Sequence, residues 1–308
     1  MPRLRGRLLG GATVSVLMLL SLSACGSSSS SSTSSSGKLA VVAAENFWGS
    51  IATQLGGDRV EVTSLITNPD TDPHDYEPTP GDGREIASAR LVIVNGIGYD
   101  PWADKLLSAN RASGRDVVKV GDLVGLKEGD NPHQWYSPET VEKVISQITA
   151  EYKKRRPADA AYFDQQHEKF ESSGLAGYHA VIADIKAKYA GTAVGASESI
   201  FAPLAGPLGL RLVTPESFLD AISEGNDPTA ADKATVDQQI ASKAIKVFVF
   251  NSQNSTPDVQ RLVNAAKANG IAVTTVTETL TPKGATFQAW QTAQLRALER
   301  ALATATGK

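Results

Sequence analysis

The chain has one cysteine, Cys25, in 308 residues. No disulfide can form within it, and its stability has to come from an apolar core, which a chain of this length can build in two domains. Positive charge is not in excess. Lys and Arg number 30 against 33 Asp and Glu, for a formal net charge of −3. That balance weighs against a nucleic-acid partner and against a polybasic membrane patch. A membrane-spanning run is also missing. The apolar stretch Leu8–Leu20 falls short of the roughly 20 residues that a spanning helix requires. The sequence contains no His-Glu-x-x-His pattern and no histidine-rich segment; its four histidines are His74, His133, His167 and His179.

The front of the chain reads as a targeting segment. Arg3, Arg5 and Arg7 precede the apolar stretch, and small residues follow, ending Leu22-Ser23-Ala24-Cys25. This is the layout of a secretory signal over residues 1–24. Its ending resembles the lipobox of bacterial lipoproteins, which implies cleavage before Cys25 and lipidation of the Cys25 sulfur. Removing the three arginines takes the formal net charge from −3 to −6. Residues 25–37 then form a serine-rich tether with nothing apolar to bury. Since one acyl chain anchors weakly, more than one is expected.

From Lys38 onward strands and helices alternate. Strands are expected at Leu39–Ala43, Val60–Ile66, Leu91–Val94, Val117–Val120, Thr192–Ala196, Leu210–Val213, Val247–Phe250 and Ile271–Val276. Fully apolar runs such as Leu91–Val94 fit buried parallel strands. Helices are expected at Phe47–Leu55, after Gly81, from Ser137, at Phe201–Leu208, Asp232–Ala241, from Thr256, and at Thr286–Leu302. Ser137-Pro138-Glu139 gives the third of these a cap, a proline and an acid in the favoured order, and Lys153–Arg156 meets its C-terminal dipole before Pro157 stops it. The alternation predicts two three-layer α/β lobes, 38–157 and 190–308, joined by a long connecting helix over 158–189 that is either continuous or broken near Gly174 and Gly177. His167 and His179 fall on that connector and are expected on its surface.

Two short segments carry the chemistry. Asn68–Pro80 has four prolines in thirteen residues, so it is neither helix nor central strand. It holds His74 on a stiff loop that leaves the end of a strand. Asn131-Pro132-His133-Gln134-Trp135-Tyr136-Ser137-Pro138 repeats its pattern: Pro-His, any residue, an aromatic that can pack beside the imidazole, then Ser/Thr-Pro before a helix. Paired neutral imidazoles point to a metal. Glu198 and Glu278 occupy strand-end positions in the second half. Two imidazoles and two carboxylates neutralise a divalent cation, so the cluster can be buried between lobes.

With these residues in view, the chain resembles the zinc/manganese-type solute-binding lipoproteins of bacterial ABC importers. The likeness covers about residues 38–308 and rests on Pro73–Pro78, Asn131–Trp135, Ser197-Glu198-Ser199-Ile200-Phe201, and Glu278 after the last strand. It implies two α/β lobes joined by a long, stiff helix, with one metal in the cleft between them and His74, His133, Glu198 and Glu278 as its ligands. The third ligand is Glu where some members have His, and the histidine-rich loop of some members is missing. Zn²⁺ and Mn²⁺ therefore both stay open as cargo, and Fe²⁺ is not excluded. By position, Asp75, Ser197, Asn251 and Gln253 are candidates to hydrogen-bond the ligands.

The implied role is an exported, lipid-anchored, monomeric receptor on the outer face of the cytoplasmic membrane. It would capture the ion and deliver it to an ABC importer membrane permease; it would not be an enzyme. Two other classes use the same residues: a metallohydrolase with a His₂Glu₂ site, and a cell-adhesion module with a structural metal. Four protein ligands leave little room for an activated water, which counts against the hydrolase.

Overall fold

The computed structural model describes residues 37–308 except positions 70, 72 and 75. The signal, Cys25, the tether up to residue 36 and Asp75 lie outside the described residues. Gly37–Lys308 form one compact unit.

The first half runs β1 (Leu39–Glu45), α1 (Asn46–Gly56), β2 (Val60–Ile66), α2 (Pro80–Ser88), β3 (Leu91–Val94), α3 (Pro101–Ala109), β4 (Asp116–Lys119), α4 (Val120–Val124) and α5 (Pro138–Arg155). Next come α6 (Ala160–Lys169) and α7 (Ala176–Tyr189). The second half runs β5 (Ala193–Ala196), α8 (Ala202–Ala205), β6 (Arg211–Leu212), α9 (Glu216–Ser223), α10 (Ala230–Ala241), β7 (Val247–Asn251), α11 (Pro257–Ala268), β8 (Ala272–Val276) and α12 (Phe287–Thr306). Each half holds one four-stranded parallel sheet, and the two strand orders correspond: β2-β1-β3-β4 and β6-β5-β7-β8. All carboxyl ends of a parallel sheet lie along one edge, and such edges are where open α/β folds bind ligands.

The apolar runs explain the layers. Along β3, Leu91 and Ile93 enter one core cluster while Val92 and Val94 enter another. A strand's side chains alternate between faces, so a run apolar at every position must be covered on both. Ile86 of α2 and Trp102 of α3 close the second cluster. The first is the larger and crosses between the halves, taking Val41 and Ile93 from one sheet together with Val194 and Val249 from the other. Across the same junction Phe287 N donates to Ser50 Oγ at 2.9 Å and Gln54 pairs with Gln288. α1 and α12 are thus held by polar as well as apolar contacts.

Most strands lie within a residue or two of their expected places. The expected strand through Val120 ends at Lys119, and Val120 instead opens α4. The helix expected to reach Leu208 stops at Ala205, ahead of Gly206-Pro207, because proline cannot extend it. Conversely, α12 continues to Thr306, where Gly307 takes the left-handed conformation (φ 72°) that closes helices. Helices α3 and α9 were not expected; both are short, proline-led segments. Between the halves the chain follows α6, a π-type turn at Phe170–Gly174, and α7. Leu175 N donates to Phe170 O at 2.8 Å there, and the chain bends at Leu175, where α7 begins as a new helix, so the connector is broken near Gly174. His167 sits on α6 with Nδ1 3.0 Å from Thr149 Oγ1 and Nε2 3.0 Å from Glu171, and His179 is a half-buried residue of α7.

Phe287 is fully buried and touches Tyr178 of α7 and Trp290 edge-on, with ring centroids 6.2 and 6.1 Å away. Truncating it removes the apolar wedge between α12 and the connector. Phe287→Ala is expected to cost about 3–5 kcal/mol of unfolding free energy, read by urea denaturation. A loss below about 1 kcal/mol would mean that this junction contributes little.

Candidate metal centre

Three of the four candidate ligands sit beyond the carboxyl end of a strand, and the fourth lies on a loop that follows a short helix. His74 follows β2, His133 lies on the loop after α4, Glu198 follows β5 and Glu278 follows β8. The proline-rich His74 segment is pinned by Trp102, whose Nε1 donates to Pro73 O at 3.1 Å. It leads into α2 through a capping box in which Thr79 and Asp82 satisfy each other's backbone N–H groups. The His133 segment leads into α5, capped by Ser137 Oγ accepting from Thr140 N.

His74, His133 and Glu278 converge, each offering a ligand atom within 4.8 Å of the others. Two atoms on one ion can be at most about 4–4.6 Å apart, twice a metal–ligand bond, so a small inward movement of side chains completes the grip. Glu198 is not in this trio. Its Oε1 accepts from Asn251 Nδ2 and its Oε2 from Asn254 Nδ2, each at 2.6 Å. Asn251 Nδ2 also reaches Glu278 Oε1 at 3.0 Å. One amide therefore bridges the two carboxylates and holds Glu198 one hydrogen bond away from the trio.

The imidazole of His133 is buried and set for ligation. Its Nδ1 is 2.9 Å from Asn131 Oδ1, which can only accept, so Nδ1 carries the proton. Nε2 is left as a bare lone pair, buried and without a hydrogen-bond partner among the described residues. Burial and the neighbouring His74 hold the His133 pKa well below the usual imidazole range, which keeps the ring neutral. Asn131 is itself fixed by donating to Ser199 O at 2.8 Å across the junction.

Of the residues expected to support the ligands, Ser197 Oγ accepts from Asn251 N at 3.0 Å. Gln253 Oε1 accepts from Glu278 N at 2.6 Å and Thr279 N at 3.0 Å, and its Nε2 donates to Pro69 O on the His74 segment. Ser197 thus acts through Asn251, while Gln253 ties the two ligand loops together. Asp75 lies outside the described residues. Trp135 packs edge-on against His133 at 5.3 Å, as its spacing suggests. Tyr76 does not do the same for His74. It packs on Trp102 and donates to Asp82 Oδ2, and the ring beside His74 is Tyr99, at 4.6 Å.

Tyr99 and Asn254 were missed from sequence. Tyr99 is fully buried and donates to Glu278 Oε2 at 2.9 Å. The signal in the sequence was Gly96 and Gly98 directly before it, which take left-handed conformations in the fold. A cavity of about 300 Å³ opens onto His74, and its lining includes Glu128, Asp130, Glu216, Asp220 and Glu224 but no lysine or arginine. Burial and the charges of Glu216 and Glu224 raise the Asp220 pKa, and such a mouth attracts cations.

Residues 41–301 match the family model described as "ZnuA: Zinc-uptake complex component A periplasmic". The chain belongs to the ZnuA family. Its relatives include the zinc uptake protein ZnuA of Bacillus subtilis, 26% identical over 78% of this chain and 80% of that protein. Another is the manganese-binding lipoprotein MntA of Halalkalibacterium halodurans, 28% identical over 50% of this chain and 53% of that one. The chain spans about half the length of MntA and of the streptococcal lipoproteins FimA and SsaB. Among solved structures, FpvC of Pseudomonas aeruginosa in complex with Mn²⁺ superposes with a TM-score of 0.71 at 21% identity, over 87% of this chain and 99% of that one. A manganese-bound periplasmic metal-binding protein variant from Candidatus Liberibacter asiaticus gives 0.73 at 20% identity, over 86% of this chain and all of that one. At these identities the superpositions establish the fold: two parallel-sheet lobes of the family's kind.

Removing the Asn131 acceptor frees the His133 ring to turn and to change tautomer. Asn131→Leu is expected to weaken divalent-metal binding by about 10–100-fold in calorimetric titration, and to lower the unfolding midpoint because Ser199 O and His133 N lose their partner. Unchanged affinity would show that the hydrogen bond does not orient the ring.

Proposed function

We propose that the protein captures one divalent transition-metal ion between its lobes, as the extracytoplasmic receptor of an ABC importer, and passes the ion to a membrane permease. The observation that carries this reading is the convergence of His74, His133 and Glu278 from both halves, with Glu198 one amide away. In this reading Glu198 is the fourth ligand. It reaches the ion by a shift of its carboxylate while Asn251 keeps its bond to Glu278. Two neutral imidazoles and two carboxylates match the charge of the ion they enclose, and the acidic mouth at His74 raises its local concentration.

Zn²⁺ and Mn²⁺ are the cargo candidates, with Fe²⁺ within the same ligand chemistry. The relatives' names divide along these lines: zinc uptake for the Bacillus protein, manganese for the Halalkalibacterium one, and iron for YfeA of Yersinia pestis. The signal-like front and Cys25 support export and lipid anchoring, and relatives bear the name lipoprotein. Family membership supports a transport role over a hydrolytic or adhesive one. The core cluster shared by both sheets and the bonds between α1 and α12 support limited lobe rotation. Release would then come from movement of the ligand loops, above all the His74 segment.

Two measurements test this. Titrating residues 38–308 with Zn²⁺ and Mn²⁺ is expected to show saturable one-to-one binding that is lost in His74→Ala/His133→Ala; competition then ranks the cargo. A well-folded wild type that binds neither ion would remove the receptor reading. Small-angle scattering is expected to give nearly the same radius of gyration with and without metal, and a wide opening of the metal-free form would overturn the limited-motion part.

A further inference from the structure

Beneath the metal centre lies a second pair of acids that the binding chemistry does not use. Glu45 is the last residue of β1 and is fully buried. It occupies the N-cap position of α1, yet its side chain forms no cap. Neither of its carboxyl oxygens accepts a well-formed hydrogen bond among the described residues. Its strand pairs with β3, which leads into the loop carrying Asp100, and each of the two carboxyls acts on the ionisation of the other. Asp100 is also buried, but it is well supplied with donors: Oδ2 accepts from Asn95 N at 2.8 Å and Oδ1 from Gly96 N at 2.7 Å. Among the described residues no lysine, arginine or histidine forms an ion pair with either acid. Lys119 of β4 and Asp104 of α3 act on Asp100 only at longer range and pair with each other at 2.7 Å.

Two buried carboxyls in contact and without a cation cannot both be ionised. The two backbone N–H groups favour the charge on Asp100, which leaves the proton on Glu45. We propose that Glu45 is a neutral acid whose O–H donates to the Asp100 carboxylate, and that this shared proton is the positioning element for the Asn95–Asp100 loop under the metal centre. Burial, reinforced by the Asp100 charge, pushes the Glu45 pKa well up, while Asp100 rises only to about 6, consistent with that division.

The loop needs such a hold. Gly96, Ile97 and Gly98 have successive φ values of 72°, 60° and 80°. A β-branched residue in the left-handed region is strained and persists only where its surroundings fix it. The loop then delivers two contacts to the site. Tyr99 donates to Glu278, and Asn95 Nδ2 donates at 2.9 Å to Pro132 O, directly before His133. Asn95 also accepts from Trp48 Nε1 at 3.1 Å. Through Asp100, then, the Glu45 proton bears on a ligand from each half. This role rests on the metal reading above, whereas the proton itself can be tested without metal.

The test uses the full chain and the variants Glu45→Gln and Glu45→Leu. Infrared difference spectra of metal-free protein at neutral pH are expected to show a protonated-carboxyl stretch that is absent in Glu45→Gln. Glutamine keeps the shape and an N–H donor toward Asp100, so its Zn²⁺ affinity is expected within about threefold of wild type. Leucine offers no donor and is expected to lose tenfold or more, with folding checked by circular dichroism. Absence of the carboxyl stretch would overturn the proposal. So would a glutamine variant as impaired as leucine, or a folded leucine variant that binds like wild type. If Glu45→Leu does not fold, the stretch and the glutamine affinity still decide. If wild-type protein binds no metal, the metal reading fails, and the carboxyl stretch alone decides on the acid pair.

Discussion

Four carboxyl groups, those of Glu45, Asp100, Glu198 and Glu278, are buried at strand ends or on the loops that follow them, and no lysine or arginine is buried with them among the described residues. A buried carboxylate has to find donors, a proton or a cation. Each of the four finds a different mixture. Asp100 takes backbone N–H groups, Glu198 takes two asparagine amides, and Glu278 takes the Tyr99 hydroxyl and a share of Asn251. Glu45 is left with the proton. The asparagines and the tyrosine are therefore not incidental polar residues. They supply the donors that let this group of buried acids stay folded.

The strand order explains why these groups meet. With the same parallel order in both sheets, each half aims its strand ends the same way along its own edge. Side chains after β2, β5 and β8 and on the loop after α4 can then approach one centre although they are far apart in the chain. The shared apolar core keeps the two edges facing each other. It passes through both sheets and is reinforced by stacked rings, with Phe47 and Trp135 centroids 4.0 Å apart immediately behind His133.

Much of this was legible in the sequence, for identifiable reasons. Apolar runs of four to seven residues fixed where the strands lie. Proline before each imidazole announced the loops that carry His74 and His133, because it removes the helical and strand alternatives. Glu278 stood out as an acid after a strand. What stayed hidden depends on long-range geometry. Nothing near Asn131 in the chain says that its amide oxygen orients His133, and Tyr99 meets Glu278 across 179 residues. Tyr76 looked like the partner of His74 by spacing, but Trp102 offered it a better-packed face. Helix α9 escaped notice because only Phe218, Leu219 and Ile222 mark its buried side, too few to establish a period.

The docking of α12 on α1 has a consequence for how the chain reaches this state. Gln54 and Gln288 are 234 residues apart in sequence. Each sheet can assemble from neighbouring strands, but the shared core lacks Phe287, Trp290, Leu295, Leu298 and Leu302 until α12 is available. Folding intermediates without α12 would expose the apolar residues it covers, and exposed apolar surface is what drives aggregation and recruits chaperones. The final closure is thus a late event, and a chain shortened before α12 would keep both lobes' worth of strands while remaining sticky.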